Sequence, residues 1–191
     1  MTHAALIALG LGLLFFPLWL LRARASRLAG FDQRALPRGL NLPLTVLDAG
    51  RAYGAAWLLL RGLPGLERIG AMGRWQEAAL MAGAVAVGLL IQTLVWRDED
   101  FVFAPVPYML GLLAAFSHPI VLVIVLPLAI GSAMAVRAWA AGLLGGGIGL
   151  GVVGLAVTQQ DWRLGLLCGV AFCLPVLVSA MAGRHLGWPR K

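Results

Sequence analysis

Residues 120–157 read IVLVIVLPLAIGSAMAVRAWAAGLLGGGIGLGVVGLAV and contain one charged residue, Arg137. The part on each side of Arg137 is long enough, or nearly so, to cross a bilayer as a helix, for which about 20 apolar residues are needed. A small water-soluble domain could not bury both parts, because the chain has too few polar side chains to form its surface. The stretch therefore predicts two membrane-spanning helices, near 120–136 and 138–157.

Three further runs without charge extend this pattern along the chain, at residues 4–21, 78–96 and 164–183. Of the 191 residues, 61% are hydrophobic and 12% are charged. This composition is typical of a protein whose surroundings are lipid rather than water. The sequence predicts an all-α, polytopic transmembrane bundle that forms a single integral membrane domain over residues 1–191.

Arginines set the expected orientation of this bundle. No Lys or Arg precedes the first apolar run, whereas Arg22, Arg24 and Arg27 follow it directly. This order predicts an uncleaved first helix rather than a signal peptide. By the positive-inside rule, the N-terminus is expected outside, residues 22–41 form a basic cytoplasmic linker, and the tail with Arg190 and Lys191 is cytoplasmic.

Two segments decide how often the chain crosses. Residues 44–60 carry Asp48 and Arg51, each of which costs about 2.5–3.5 kcal/mol at mid-membrane. Residues 101–116 carry no charge but are short. Because the two termini are expected on opposite sides, either both segments cross or neither does. Seven spans follow in the first case, and five spans with an interfacial helix and a re-entrant segment follow in the second.

The charge distribution and the hydropathy disagree on this choice. Seven spans leave Arg61, Arg68, Arg74 and Arg163 outside, whereas five leave only Arg97 and Arg163 there, so the positive-inside rule favours five. An uncharged segment such as 101–116 is implausible in water, and a small bundle offers little protein to surround a re-entrant loop. We favour seven spans for this reason.

The formal net charge is +7. In a soluble protein this excess would suggest nucleic acid as a partner. Here the basic residues flank apolar spans, where they contact anionic lipid headgroups and set topology. The bilayer is the expected partner and nucleic acid is not. Lys191 is the only lysine among fifteen basic residues, a usage that fits a GC-rich bacterial genome, and the expected location is the bacterial cytoplasmic (inner) membrane.

Glycines recur at four-residue intervals in the span near 138–157. This G-x-x-x-G spacing allows helix backbones to approach closely in lipid. The glycines predict packing within the monomer, with a seam for self-association or a backbone-lined permeation path as alternatives. The residues concerned are Gly142, Gly145, Gly146, Gly147, Gly149, Gly151 and Gly154.

Asp48 and Arg51 are the strongest candidates for a functional site. They lie on one stripe of a helix three residues apart, so they can pair. Ionisable residues within a span mark a polar path or a ligand site by default, although a structural ion pair or a surface-lying helix would also account for them. Gln92 and His118 are weaker candidates for the same path.

The chain contains no nucleophile elbow, zinc-protease motif, phosphate-binding loop or dinucleotide fingerprint. Cys168 and Cys173 are spaced neither as a C-x-x-C pair nor for a disulfide within one helix. We therefore predict no metal, no cofactor and no catalytic residue. The expected function is a small channel or transporter, homo-oligomeric, and the alternative is a non-catalytic accessory subunit of a larger membrane complex.

Overall fold

The computed structural model describes residues 2–16, 24–27, 42–64, 73–94, 101–103, 105–136, 138–157, 162–183 and 185–190. Its helices are α1 (His3–Phe15), α2 (Leu42–Gly62), α3 (Arg74–Leu94), α4 (Val106–Phe116), α5 (Pro119–Val136), α6 (Trp139–Val157), α7 (Trp162–Phe172) and α8 (Leu174–Ala182). Three short strands, β1 (Arg24–Arg27), β2 (Phe101–Phe103) and β3 (His185–Arg190), accompany them.

The predicted helical fold is confirmed. Four helices are long and apolar enough to cross a membrane, namely α3, α5, α6 and the segment Trp162–Ala182 that comprises α7 and α8. Only Cys173 separates α7 from α8. Pro175 explains this break, because it has no N–H to donate to the preceding turn. Helices α1 and α4 are apolar but shorter.

Large apolar side chains cover much of the outer surface. Val123 of α5 is 72% exposed and Met181 of α8 is 89% exposed. A contiguous apolar surface of this kind is unfavourable in water and is what a lipid environment tolerates. The fold is therefore compatible with a membrane protein, as the apolar runs predicted.

Two helices are shorter than the apolar runs near which spans are predicted. The first helix does not extend to residue 21 but ends at Phe15, and Phe16 is extended. Pro17 follows Phe16 in the sequence and disfavours helical geometry in the residue before it. The segment predicted as a helix over 101–116 begins instead with strand β2, and its helix starts only at Val106, after Pro105.

The strands form a small sheet in the order β1–β3–β2, which the sequence analysis did not predict. β1 pairs with β3 in antiparallel fashion and β2 pairs with β3 in parallel. Leu186 of β3 is buried against apolar side chains of α4, α6 and α8. The sheet thus closes one end of the helical bundle. Within the predicted linker 22–41 the structure describes only β1, and the other linker residues lie outside the described part.

Helix α2 packs between α1 and α4. Close approach to α1 occurs at Gly10, where an added Cβ would lie 3.1 Å from the carbonyl oxygen of Ala55. On the opposite side, Gly111 of α4 faces the backbone of Ala49 so closely that a side chain would overlap it. These contacts hold the three helices as one tightly packed unit.

The glycine-rich helix α6 packs against two neighbours within the same chain. Gly142, Gly145, Gly146 and Gly149 face α5, and a Cβ at Gly145 would lie 2.5 Å from the Ser132 hydroxyl. Gly147, Gly151 and Gly154 face α7 and Cys173. All seven glycines singled out in the sequence are therefore engaged in packing within this chain.

Candidate functional site

The site is built around the C-terminal end of α1. The last carbonyl groups of any helix lack partners within the helix and need donors from elsewhere. The backbone N–H of Phe16 bonds the carbonyl of Gly12, which leaves the carbonyls of Leu13, Leu14 and Phe16 to other partners. Side chains from three different helices supply these donors.

Arg51 of α2 contributes most of them. Its Nη1 donates to the carbonyl oxygen of Leu13 at 2.6 Å and also to that of Phe16. Its Nε and Nη2 donate to one carboxylate oxygen of Asp48, at 3.1 and 2.7 Å. Asp48 is 0% exposed and Arg51 is 9% exposed, so this ion pair is almost wholly removed from solvent.

Gln92 of α3 and Tyr108 of α4 complete the arrangement. Gln92 Nε2 donates to the carbonyl oxygen of Phe16 at 3.2 Å, and the Tyr108 hydroxyl donates to that of Leu14 at 3.0 Å. The Arg51 guanidinium also lies 5.1 Å from the centre of the Tyr108 ring. We call Asp48, Arg51, Gln92 and Tyr108 the polar cluster.

The electrostatics of the polar cluster are balanced. The C-terminal end of a helix carries partial negative charge, which a cation stabilises. The Arg51 guanidinium meets this end of α1 on one side and the Asp48 carboxylate on the other. Charges buried without such partners would be strongly unfavourable. The cluster is therefore a closed network in which each donor group of Arg51 is used.

Three of the four members of the polar cluster are among the residues predicted from the sequence. Asp48, Arg51 and Gln92 come together as one site, although Gln92 lies on a different helix. His118 does not join them, because it lies in the turn before α5, where its Nδ1 accepts a hydrogen bond from the Ile120 N–H at 3.4 Å. Tyr108 was not among the predicted site residues. The sequence does contain a feature that could have identified Tyr108. Its hydroxyl lies within an otherwise apolar segment, and a buried tyrosine hydroxyl requires a hydrogen-bond partner.

A second polar feature lies at the start of α3 and α7. The rings of Trp75 and Trp162 meet edge to face, with centroids 5.4 Å apart. The Arg163 guanidinium lies 4.8 Å from the Trp75 ring centre and 5.4 Å from that of Trp162. Tryptophan and arginine in contact at helix ends are typical of a membrane interface. We call these three residues the aromatic cluster.

Among the described residues, no three His, Cys, Asp or Glu side chains lie together as a metal ion would require. The thiols of Cys168 and Cys173 are free. Comparisons of this chain with protein-family models, curated proteins and solved structures found no match.

Proposed function

We propose that the chain crosses a bacterial cytoplasmic membrane seven times, with its N-terminus outside and its C-terminus in the cytoplasm. The three-stranded sheet supports this topology, because strands cannot pair across a bilayer. With seven spans, two crossings separate β1 from β2 and four separate β2 from β3, so all three strands lie on one side. With five spans, β2 would lie opposite its partner β3.

The aromatic cluster supports the same topology from the other end of the bundle. Trp75 and Trp162 are in contact, so they must lie on the same side of the membrane. Four crossings separate them in the seven-span arrangement, whereas the five-span arrangement separates them by three. The sheet then faces the cytoplasm with the basic residues of the linker and the tail, where anionic lipid headgroups are expected.

Cysteine labelling tests this topology. In a background with Cys168 and Cys173 replaced by Ala, we introduce Gln76→Cys, Arg68→Cys or Ser26→Cys. In intact cells a membrane-impermeant maleimide should label positions 68 and 76, whereas position 26 should react only after permeabilisation. Labelling of position 76 from the cytoplasmic side alone would contradict the seven-span topology.

We propose further that the protein is a small channel or transporter in which the polar cluster is the closed section of a polar path. The observation that carries this proposal is that polar side chains from α2, α3 and α4 converge on the buried C-terminal end of α1. Discontinuous helices whose ends meet polar groups inside the bilayer are the usual construction of transporter binding sites. Intramembrane ionisable residues likewise mark ion and substrate paths.

If the proposed topology is correct, the helix lengths support a position of the polar cluster inside the membrane. Helix α1 has 13 residues and is therefore about 20 Å long at 1.5 Å per residue. This length falls about 10 Å short of a hydrocarbon core about 30 Å thick. Asp48 lies six residues after the start of α2, which is about 9 Å along that helix. Both estimates put the cluster in the cytoplasmic third of the bilayer.

Arg51 is bound to Asp48 and to the end of α1, an arrangement that corresponds to the closed state of the proposed path. Conduction requires the guanidinium to exchange these partners for water or for the solute. Neutralising Asp48 removes the anionic partner of the Arg51 guanidinium. Replacing Tyr108 by Phe removes the hydrogen bond to the Leu14 carbonyl without adding volume. Both changes should therefore alter the rate of transport.

Flux into liposomes tests the proposal. Purified protein in phosphatidylethanolamine and phosphatidylglycerol vesicles is assayed with protons, potassium, chloride, amino acids and glycerol. We expect at least one probe to cross faster than in protein-free vesicles, and Asp48→Asn and Tyr108→Phe to change that rate by about tenfold, the effect of about 1.4 kcal/mol on a barrier. The matched control Asp98→Asn should leave it unchanged. Absence of flux for every probe, or equal flux in all variants, would refute the proposal.

The uncovered face of α5 favours a second candidate, a non-catalytic subunit of a membrane complex. Of the four long apolar segments, α5 is the least buried within the chain. Helices associate in lipid through such apolar surfaces when their packing is complementary. Size-exclusion chromatography with light scattering in detergent separates the outcomes. A homo-oligomer supports the channel or transporter, whereas co-purification with other chains in fixed ratio supports the subunit.

A further inference from the structure

An apolar cavity of about 420 Å³ lies between α4, α5, α6 and the end of α7. Its inner wall is buried, as Ala133 and Phe172 are 2% and 4% exposed. Its rim is open, since Leu110, Ile130 and Met134 line it and are about half exposed. These rim residues continue the apolar outer surface of α5, so the cavity opens sideways towards the bilayer rather than towards water.

Packing on either side keeps this cavity from closing. Helix α4 is fixed to α2 through the close contact of Gly111 with Ala49, and α5 is fixed to α6 through the glycines that face it. At the end near the sheet, Val106 and Leu143 line the cavity and also pack on Leu186 of β3. Helices α4 and α5 themselves make few mutual contacts. An empty space of this size would deprive its lining atoms of dispersion contacts, so an occupant is favoured.

The lining determines the chemistry of the occupant. Every described side chain around the cavity is apolar, and none carries a charge or a hydrogen-bonding group. A charged or polar solute would lose its hydration there without compensation. The occupant must therefore be a hydrocarbon, and in a bilayer the abundant hydrocarbon is lipid.

A spanning helix is about 10–12 Å across with its side chains and needs about five or six turns, whereas this cavity is walled on its inner side by α5, α6 and Phe172 and is open only at its rim. A single extended hydrocarbon chain is much thinner than a helix and can fill a cavity of this volume. We propose that the cavity is a binding site for one acyl chain of a membrane lipid.

Photo-crosslinking with a diazirine-bearing palmitic acid, added to the full-length protein in phosphatidylethanolamine and phosphatidylglycerol vesicles, tests this site. We expect saturable labelling, displaced by unlabelled palmitate, on peptides that contain Met109, Leu113 or Met134. Ala129→Phe places a ring in the cavity, which leaves less space for the acyl chain of palmitate. The apparent affinity for palmitate should therefore fall by about tenfold. The matched control Ala135→Phe lies on the exposed face of the same helix and should leave labelling unchanged.

Labelling that is unsaturable and spread over exposed residues such as Val123 and Met181 would overturn the proposal. Equal labelling of the Ala129→Phe and wild-type proteins would do so as well, provided that circular dichroism shows both folded. If Met134→Cys in the cysteine-free background instead forms a crosslinked dimer that blocks labelling, a second copy of this chain occupies the cavity. These outcomes do not depend on whether the protein transports a solute.

Discussion

Replacing Arg51 by Met is expected to lower the free energy of unfolding by about 3–5 kcal/mol, the range observed when one partner of a buried ion pair is removed. The Asp48 carboxylate, which is fully buried, would then lose the Arg51 guanidinium that donates to it. The carbonyl of Leu13 would also lose the donor that the structure gives it. Unfolding in mixed micelles with increasing SDS, followed by tryptophan fluorescence, measures this change.

Two further variants show whether the loss arises from breaking the ion pair. In Asp48→Leu combined with Arg51→Met, no charge remains, and most of the lost stability should return, because apolar replacement of a buried ion pair is often neutral. Arg61→Met is the matched control. Arg61 is exposed at the end of the same helix and contacts only the Trp57 ring among its described partners, so about 1 kcal/mol or less should be lost. If Arg51→Met is as stable as Arg61→Met, the cluster does not hold the end of α1.

Substitution of Gly111 is expected to separate α2 from α4. A Cβ at this position would overlap the backbone carbonyl of Ala49 and lie 3.0 Å from the Cβ of Ala52. The backbone cannot move as a flexible side chain would, so Gly111→Ala should cost about 1–3 kcal/mol. Gly111→Val should cost more. Because Tyr108 lies one turn earlier on α4, displacement of this helix should also break its hydrogen bond to Leu14.

Gly83→Ala provides the matched control for this prediction. Gly83 lies in the interior of α3, and an added Cβ there would meet nothing within 4 Å. Alanine favours helix more than glycine does, so this variant should gain up to about 1 kcal/mol. The same micelle unfolding assay measures both variants. Equal stability of Gly111→Ala and Gly83→Ala would mean that the two helices do not approach each other as closely as the structure describes.

The pairing of Asp48 with Arg51 could be predicted because it is local. Both residues lie on one helix three positions apart, and helical geometry brings them together whatever the rest of the chain does. The contacts of Arg51 with Leu13 and Phe16 could not be predicted in this way. Leu13 and Phe16 lie 38 and 35 positions before Arg51 in the chain. A helical pattern does not indicate which carbonyl groups of another helix accept the remaining N–H groups of Arg51.

For the glycines of α6 as well, the sequence predicts one part of the result and the tertiary structure decides the other. Their spacing predicted close helix packing, and that packing is present. The arrangement of the helices decides which glycines face α5 and which face α7. The sequence does not, because α6 carries glycines on several of its faces. The three-stranded sheet could not be predicted from the sequence for a different reason. Its strands are three to six residues long, and the partners Arg24 and Arg190 lie at opposite ends of the chain.

Apolar composition by itself determined that this protein is a helical bundle suited to lipid, because an unpaired backbone in hydrocarbon is so unfavourable that a long uncharged run must be helical. It also determined which few polar residues would need partners. Only the tertiary structure decided what those partners are. Helix α1 ends at Phe15, and its last carbonyls accept hydrogen bonds from side chains that the fold brings in from three other helices.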